Sequence, residues 1–204
     1  MENLCVLIYL SEGVSYDELT DIAYVTDEDR EAAERYLRDE DKVLHLVSAY
    51  FKRKYVGKWV VSESGKPTTQ DKFFNVSHCS GAVVFVQADA DVGIDVEKLR
   101  GVMEDLKRYV SSDEEFAGIL TSEDFFGVWT AKESLVKAEG SGIKMKPQDI
   151  PSLPINGVKE FSGKKYFSRR IRYSDFIISV AKKGAEPFDI DVKEEKLIYK
   201  KPND

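Results

Sequence analysis

Hydrophobic positions arrive as short extended runs separated by stripes of helical period. Leu4 to Leu10 is an apolar run of strand length. Thr26-Asp27-Glu28-Asp29 signals a helix start, with Thr26 as N-cap and Asp29 at the capping-box position. That helix is predicted over Asp29 to about Leu37. Val43, Leu44, Val47, Ala49, Tyr50 and Phe51 recur near the helical period and predict a second helix from Glu40 to Tyr55, ended by Gly57. Trp59-Val60-Val61 reads as a short strand and Gly65-Lys66-Pro67 as a loop. Phe73 to Val76 and Gly81 to Ala88 read as strands, with Ser77-His78-Cys79-Ser80 between or within them. Asp89-Ala90-Asp91 is a turn, and Val92 to Glu97 the next strand. Met103 to Tyr109 is a short helix, and Ser111 or Ser112 caps another near Asp113. Ser122-Glu123-Asp124 opens a helix to about Ala138, stopped by Gly140-Ser141-Gly142. Lys165–Tyr173, Phe176–Ala181 and Lys196–Tyr199 complete the strands.

This order predicts an α+β fold with strands mostly in hairpins and helices in each half. Two similar halves meet near Val92, as residues 1–91 and 92–204.

Composition changes the picture mainly by exclusion. The 204 residues carry a net charge of −7, which disfavours generic nucleic-acid binding. Basic residues cluster at Lys52-Arg53-Lys54 with Lys58, at Lys144 with Lys146, and at Lys164-Lys165 with Arg169, Arg170 and Arg172. Each reads as solvated surface or as a patch for an acidic partner. Cys5 and Cys79 form no CxxC pair, so two free thiols and a reducing, cytoplasmic setting are expected. Leu4–Leu10 follows Glu2 without a basic leader and is too short to span a membrane, so neither a signal peptide nor membrane association is expected.

Three features carry candidate chemistry. Asp95 and Glu97 lie two apart on one strand and project together, with Ile94 and Val96 toward the core. Buried, such a pair takes up a proton or favours a cation such as Mg²⁺; alone, it reads as a solvent-facing edge. On the later helix, Val128, Ala131, Leu135 and Ala138 form a core stripe, while Trp129, Glu133 and Lys137 form a second. Alone, Glu133 and Lys137 read as a surface pair. Lys66 upstream of Ser77-His78 fits a phosphate cradle or an ordinary polar turn equally. No G-x-S-x-G occurs, which disfavours a hydrolase triad.

Together the blocks Gly65-Lys66-Pro67, Phe74-Asn75-Val76-Ser77-His78, Gly93-Ile94-Asp95-Val96-Glu97 and Trp129 to Lys137 resemble the 4'-phosphopantetheinyl transferases of the surfactin-synthetase-activating (Sfp) type. The resemblance implies two similar α+β halves with coenzyme A in the cleft. It implies transfer of the 4'-phosphopantetheine arm to a serine of an acyl or peptidyl carrier protein, releasing adenosine 3',5'-bisphosphate. By position, Asp95, Glu97 and Glu133 would hold Mg²⁺, with Asp95 also at the pyrophosphate. Lys137 would contact a phosphate. Lys66 and Pro67 would line the nucleotide site, and Ser77 and His78 would bind the nucleotide end, His78 near the 3'-phosphate. Glu133 is the expected general base and Glu114 the second candidate, with Lys132 in support. A monomer is expected, because both sides of the cleft are in one chain. Relatives place basic residues around the first helix, where this chain has Asp27-Glu28-Asp29 and only Arg30, Arg35, Arg38 and Lys42. The alternatives are a non-catalytic coenzyme A- or carrier-binding module, which has no need of all four site residues, and a metal-dependent phosphatase or nuclease, which lacks further carboxylates.

Overall fold

The computed structural model describes residues 2–63, 65–70, 72–140 and 145–200. Ser141, Gly142 and Lys144 of the expected helix stop and basic cluster lie outside the described residues. The elements are β1 (Glu2–Leu10), α1 (Asp27–Ala33), α2 (Asp39–Phe51), β2 (Val60–Val61), β3 (Pro67–Thr68), β4 (Phe73–Cys79), β5 (Ala82–Ala88), β6 (Val92–Lys98), α3 (Glu104–Val110), α4 (Asp113–Gly118), α5 (Ser122–Glu139), β7 (Asn156–Phe161), β8 (Lys164–Tyr173), β9 (Phe176–Lys183) and β10 (Phe188–Glu194). Among the described residues no helix is long and apolar enough to cross a membrane.

The fold is α+β, as the pattern predicts. Two four-stranded sheets run β10-β1-β5-β4 and β6-β9-β8-β7. Leu4, Val6, Ile8, Val84 and Val86 on one sheet meet Ile94, Val96, Ile178 and Val180 on the other in a central core. The outer face of the first sheet buries Val83 and Phe85 against Val43, Val47, Tyr50 and Phe51 of α2. The outer face of the second packs on α5 through Leu135, Ala131 and Ala181 at one end and Phe125, Phe126 and Ile177 at the other. The layers are therefore helix, sheet, sheet, helix. A boundary at 91/92 separates the sheets with one exception: β10 crosses back to pair in parallel with β1.

Helix boundaries follow their caps. Thr26 and Asp29 form the expected capping box. The helix then stops at Ala33 rather than Leu37, whose side chain is fully exposed and gains nothing by continuing. Helix α2 runs on through a π turn, Lys52–Val56, to Gly57 at φ 87°. Helix α5 is capped by Thr121, with Asp124 completing the box, and ends on left-handed Gly140. Ser77-His78-Cys79 lie inside β4, and Pro67–Thr68 pair with Val60–Val61 instead of forming a bare loop. Lys196–Tyr199 contributes only an isolated bridge, Ile22 to Tyr199.

Candidate active site

Alternation along β6 builds the site. Ile94 and Val96 point into the central core, while Gly93, Asp95 and Glu97 face α5. Gly93 is what lets the helix so close: a Cβ there would lie 2.1 Å from the Ser134 carbonyl oxygen and 2.4 Å from the Ala138 nitrogen. We expect Gly93→Ala to push α5 off the strand and cost about 3 kcal/mol, read by denaturant unfolding; wild-type stability would refute this contact. β6 is an edge strand in its ladder, yet it is not open to solvent. β4, the edge of the other sheet, lies against it, and Asn75 Oδ1 accepts the Ile94 N–H at 2.9 Å. The seam thus satisfies an edge donor that would otherwise be buried and unpaired.

At that seam three side chains converge. Ser77 Oγ donates to Asp95 Oδ1 at 2.8 Å, and Lys137 Nζ donates to the same oxygen at 2.6 Å and to Ser77 Oγ at 2.9 Å. Asp95 is 6% exposed, and its Oδ2 is buried with no hydrogen-bond partner. Glu97 is held at both oxygens, accepting from Trp129 Nε1 at 3.2 Å and from Arg100 at 2.8 Å. Burial pushes the Glu133 carboxyl up, Asp95 and Glu97 add repulsion, and Lys137 opposes them. Cys79, on the Ser77 face of β4, is pushed up to about 12 by burial and then by Glu97, so it stays a thiol.

Among the described residues no three His, Cys, Asp or Glu side chains are gathered as a ready metal centre. Asp95 and Glu97 are close enough to repel Glu133, while the Lys137 ammonium pairs with Asp95. The donor set still fits a hard divalent cation: three carboxylates, one with an unpartnered buried oxygen and one held above its ordinary pKa by burial and then by the repulsion of the other two.

Lys66 meets α5 one residue beyond Lys137, donating to the Ala138 carbonyl at 3.2 Å. With Pro67, Lys72, Phe74, Val92 and Gly140 it bounds a cavity of about 240 Å³ between the β2–β3 hairpin and the end of α5. Burial lowers the Lys66 pKa.

Residues 91–181 match the 4'-phosphopantetheinyl transferase superfamily. That span runs from just before β6 into β9 and contains Asp95, Glu97, Glu133 and Lys137. The chain is similar to the 4'-phosphopantetheinyl transferase ffp of Bacillus subtilis, 28% identical over 160 residues, 68% of this chain and 70% of the relative. It is 25% identical to the 4'-phosphopantetheinyl transferase Sfp of Bacillus subtilis (strain 168), again over 68% of this chain and 70% of the relative. A third relative is the L-aminoadipate-semialdehyde dehydrogenase-phosphopantetheinyl transferase of Schizosaccharomyces pombe, 28% identical over 62% of this chain and 63% of its own length. The resemblance read from the four motif blocks and the α+β fold class both hold.

Of the expected site residues, Ser77, Asp95 and Lys137 are hydrogen-bonded together, Glu133 lies near enough to feel the charges of Asp95, Lys137 and Glu97, and Lys66 and Pro67 share the neighbouring cavity. His78 lies on the opposite face of β4 from Ser77, the face that carries Phe74 and Val76 into the α2 cluster. Desolvation, with Lys137 adding, holds its pKa below the usual value, so the ring is neutral at pH 7. Glu114 is exposed in the first turn of α4, outside the Asp95 cluster; its neighbour Glu115 is the engaged acid. Arg30 is spent on the Leu19 and Ile22 carbonyls and Lys42 on Glu34, while Arg35 and Arg38 are exposed.

Two contributors were not assigned their roles from sequence. Trp129 was placed on the Glu133 stripe, but its indole orients Glu97. Lys132 is 1% exposed and does more than support: its ammonium donates to the Val110 and Pro147 carbonyls and pairs with Glu115 at 2.6 Å. It ties α3 and α4 to α5. Period two along β4 also places Asn75 with Ser77, a signal that was available.

Proposed function

We propose that this protein transfers the 4'-phosphopantetheine arm of coenzyme A, with Mg²⁺, to a serine of an acyl or peptidyl carrier protein, acting as a monomer. The observation that carries the reading is the buried Ser77–Asp95–Lys137 cluster with Glu133 beside it, next to a cavity lined by Lys66 and Pro67. The new bond joins the serine oxygen to the β-phosphorus, and the bond to adenosine 3',5'-bisphosphate breaks. Asp95, Glu97 and Glu133 would hold Mg²⁺, which supplies charge neutralisation at the pyrophosphate. Trp129 and Arg100 fix the Glu97 carboxylate, and Ser77 fixes that of Asp95. The Lys137 ammonium is placed to turn from Asp95 toward a phosphate oxygen. Glu133 would take the serine proton, directly or through a metal-held water. Positioning supplies most of the remaining acceleration in phosphoryl transfer.

The test is mass spectrometry of an apo-carrier protein incubated with the protein, coenzyme A and Mg²⁺. A phosphopantetheine increment on the carrier serine is expected. An unmodified carrier beside bound coenzyme A would instead favour the non-catalytic binding module.

Lys137 gives a further prediction. It neutralises Asp95 in the free protein, so it competes with any cation there. Lys137→Met should bind Mg²⁺ roughly tenfold more tightly without coenzyme A, by calorimetry, and transfer more slowly. Weaker Mg²⁺ binding by the variant would refute the competition.

A further inference from the structure

A second cavity lies across α5 from the acid pair. Arg170 on β8 pairs with Ser179 on β9, and Ser179 pairs with Asp95, so Arg170 sits in the Asp95 cross-strand row. Two strand spacings put them roughly 10 Å apart along the sheet. The cavity measures about 310 Å³ and is bounded by the first turn of α5, Arg170, Arg172, Ile155 and Ile177. That volume is at the small end of the range for small-molecule sites.

The Arg170 guanidinium lies flat against α5 where the helix has no side chain. A Cβ on Gly127 would fall 2.0 Å from Arg170 Nη1. Among the described residues the guanidinium donates no hydrogen bond and makes no ion pair, although its backbone N–H is paired with Ile155. Burial lowers its pKa, against the weaker pull of Asp124 and Glu123.

The other charges around the cavity are already matched. Arg172 pairs with Glu123 at 2.7 Å, and Asp124 accepts from the Leu120 and Thr121 N–H groups, closing the helix end. Two arginines face two acids, so the charges balance, and what is left over is the Arg170 fork of N–H donors. A dianion would face both Glu123 and Asp124, whereas a single carboxylate matches the one remaining fork of donors. The apolar part of the lining is Ile155, 58% exposed, with buried Ile177 beneath it.

We propose that this cavity binds a small amphipathic monocarboxylate, its carboxylate on the Arg170 guanidinium and its apolar body on Ile155 and Ile177. The site is separate from the Asp95 cluster and does not depend on the transferase reading.

The test is an amide-resonance NMR titration of the whole chain with hexanoate, hexanamide and inorganic phosphate. Hexanoate is expected to shift the Gly127, Arg170 and Ile177 signals and to bind at least roughly tenfold more tightly than hexanamide. Arg170→Gln should erase that acid-over-amide preference. Gly127→Ala, which displaces the guanidinium, should do the same; if either variant fails to fold, the acid–amide comparison on the unaltered protein decides. Equal binding of acid and amide, tighter binding of phosphate than hexanoate, shifts confined to another region, or no shift at millimolar hexanoate would each overturn the proposal.

Discussion

Glu133→Gln should abolish transfer and leave the free protein at least as stable as before. The two effects have one origin. Glu133 is pressed by burial and by Asp95 and Glu97, with only Lys137 in opposition. The repulsion that destabilises the free protein is what a bound cation would relieve. Losing a positioned base costs roughly 10²–10⁴ in rate. Losing one of three crowded charges relieves the fold by up to about 1 kcal/mol, limited because Glu133 is partly open to solvent. The pH dependence fixes the sign. A folded-state pKa above the ordinary carboxyl value means the native chain holds a proton the unfolded chain has released. Wild-type stability therefore falls as pH rises from the ordinary value through the raised one. The variant lacks that fall, so its advantage should be larger at pH 7 than at pH 4. Thermal unfolding at both pH values and a carrier-loading assay check this together. Wild-type transfer, or a variant less stable at pH 7, would remove Glu133 from the role proposed.

Lys132→Met should be the most destabilising single change, costing about 3–5 kcal/mol in denaturant unfolding. Two buried carbonyls, Val110 and Pro147, lose their donor, and Glu115 loses its ion pair. Burial pushes the Glu115 carboxyl up, but Lys132 and the Ser112 and Ser152 N–H donors outweigh it and hold its pKa below the usual range. Its contribution is thus present above the ordinary carboxyl pKa and lost as pH falls through the depressed one. The double variant Lys132→Met/Glu115→Gln should recover part of the loss by removing the stranded charge. A cost under about 1 kcal/mol for the single change would show that the buried pair is not needed to hold α3 and α4 on α5.

The candidate cluster is legible in the sequence because its residues obey short-range periods. Asp95 and Glu97 share a strand face at i, i+2, and Glu133 and Lys137 share a helix face at i, i+4. What the periods do not contain is the partner across the gap. Nothing local to Ile94 announces that Asn75 will accept its N–H, and nothing in Lys132 announces two carbonyls 22 and 15 residues away. The same reason hid β10. Phe188, Ile190 and Val192 alternate with Asp189, Asp191 and Lys193, but a strand this charged on one face looks unpaired until β1 is placed beside it. Polar β7 was missed because it is an edge strand with little to bury. The first helix fell short of Leu37 because a periodic leucine without a surface to cover does not extend a helix.

The parallel pairing of β1 with β10 also bears on the order of assembly. β1 is an inner strand only when the chain has been made through Glu194; until then one side of it is a bare edge. The segment beyond β10 then clamps α2 through Glu195, which accepts from Lys54, Tyr50 and Tyr55. On a ribosome releasing residues from the first end, the first sheet cannot gain its fourth strand until the last described strand has emerged, while β6 to β9 close among themselves. The half that begins the chain is the half whose sheet is completed last.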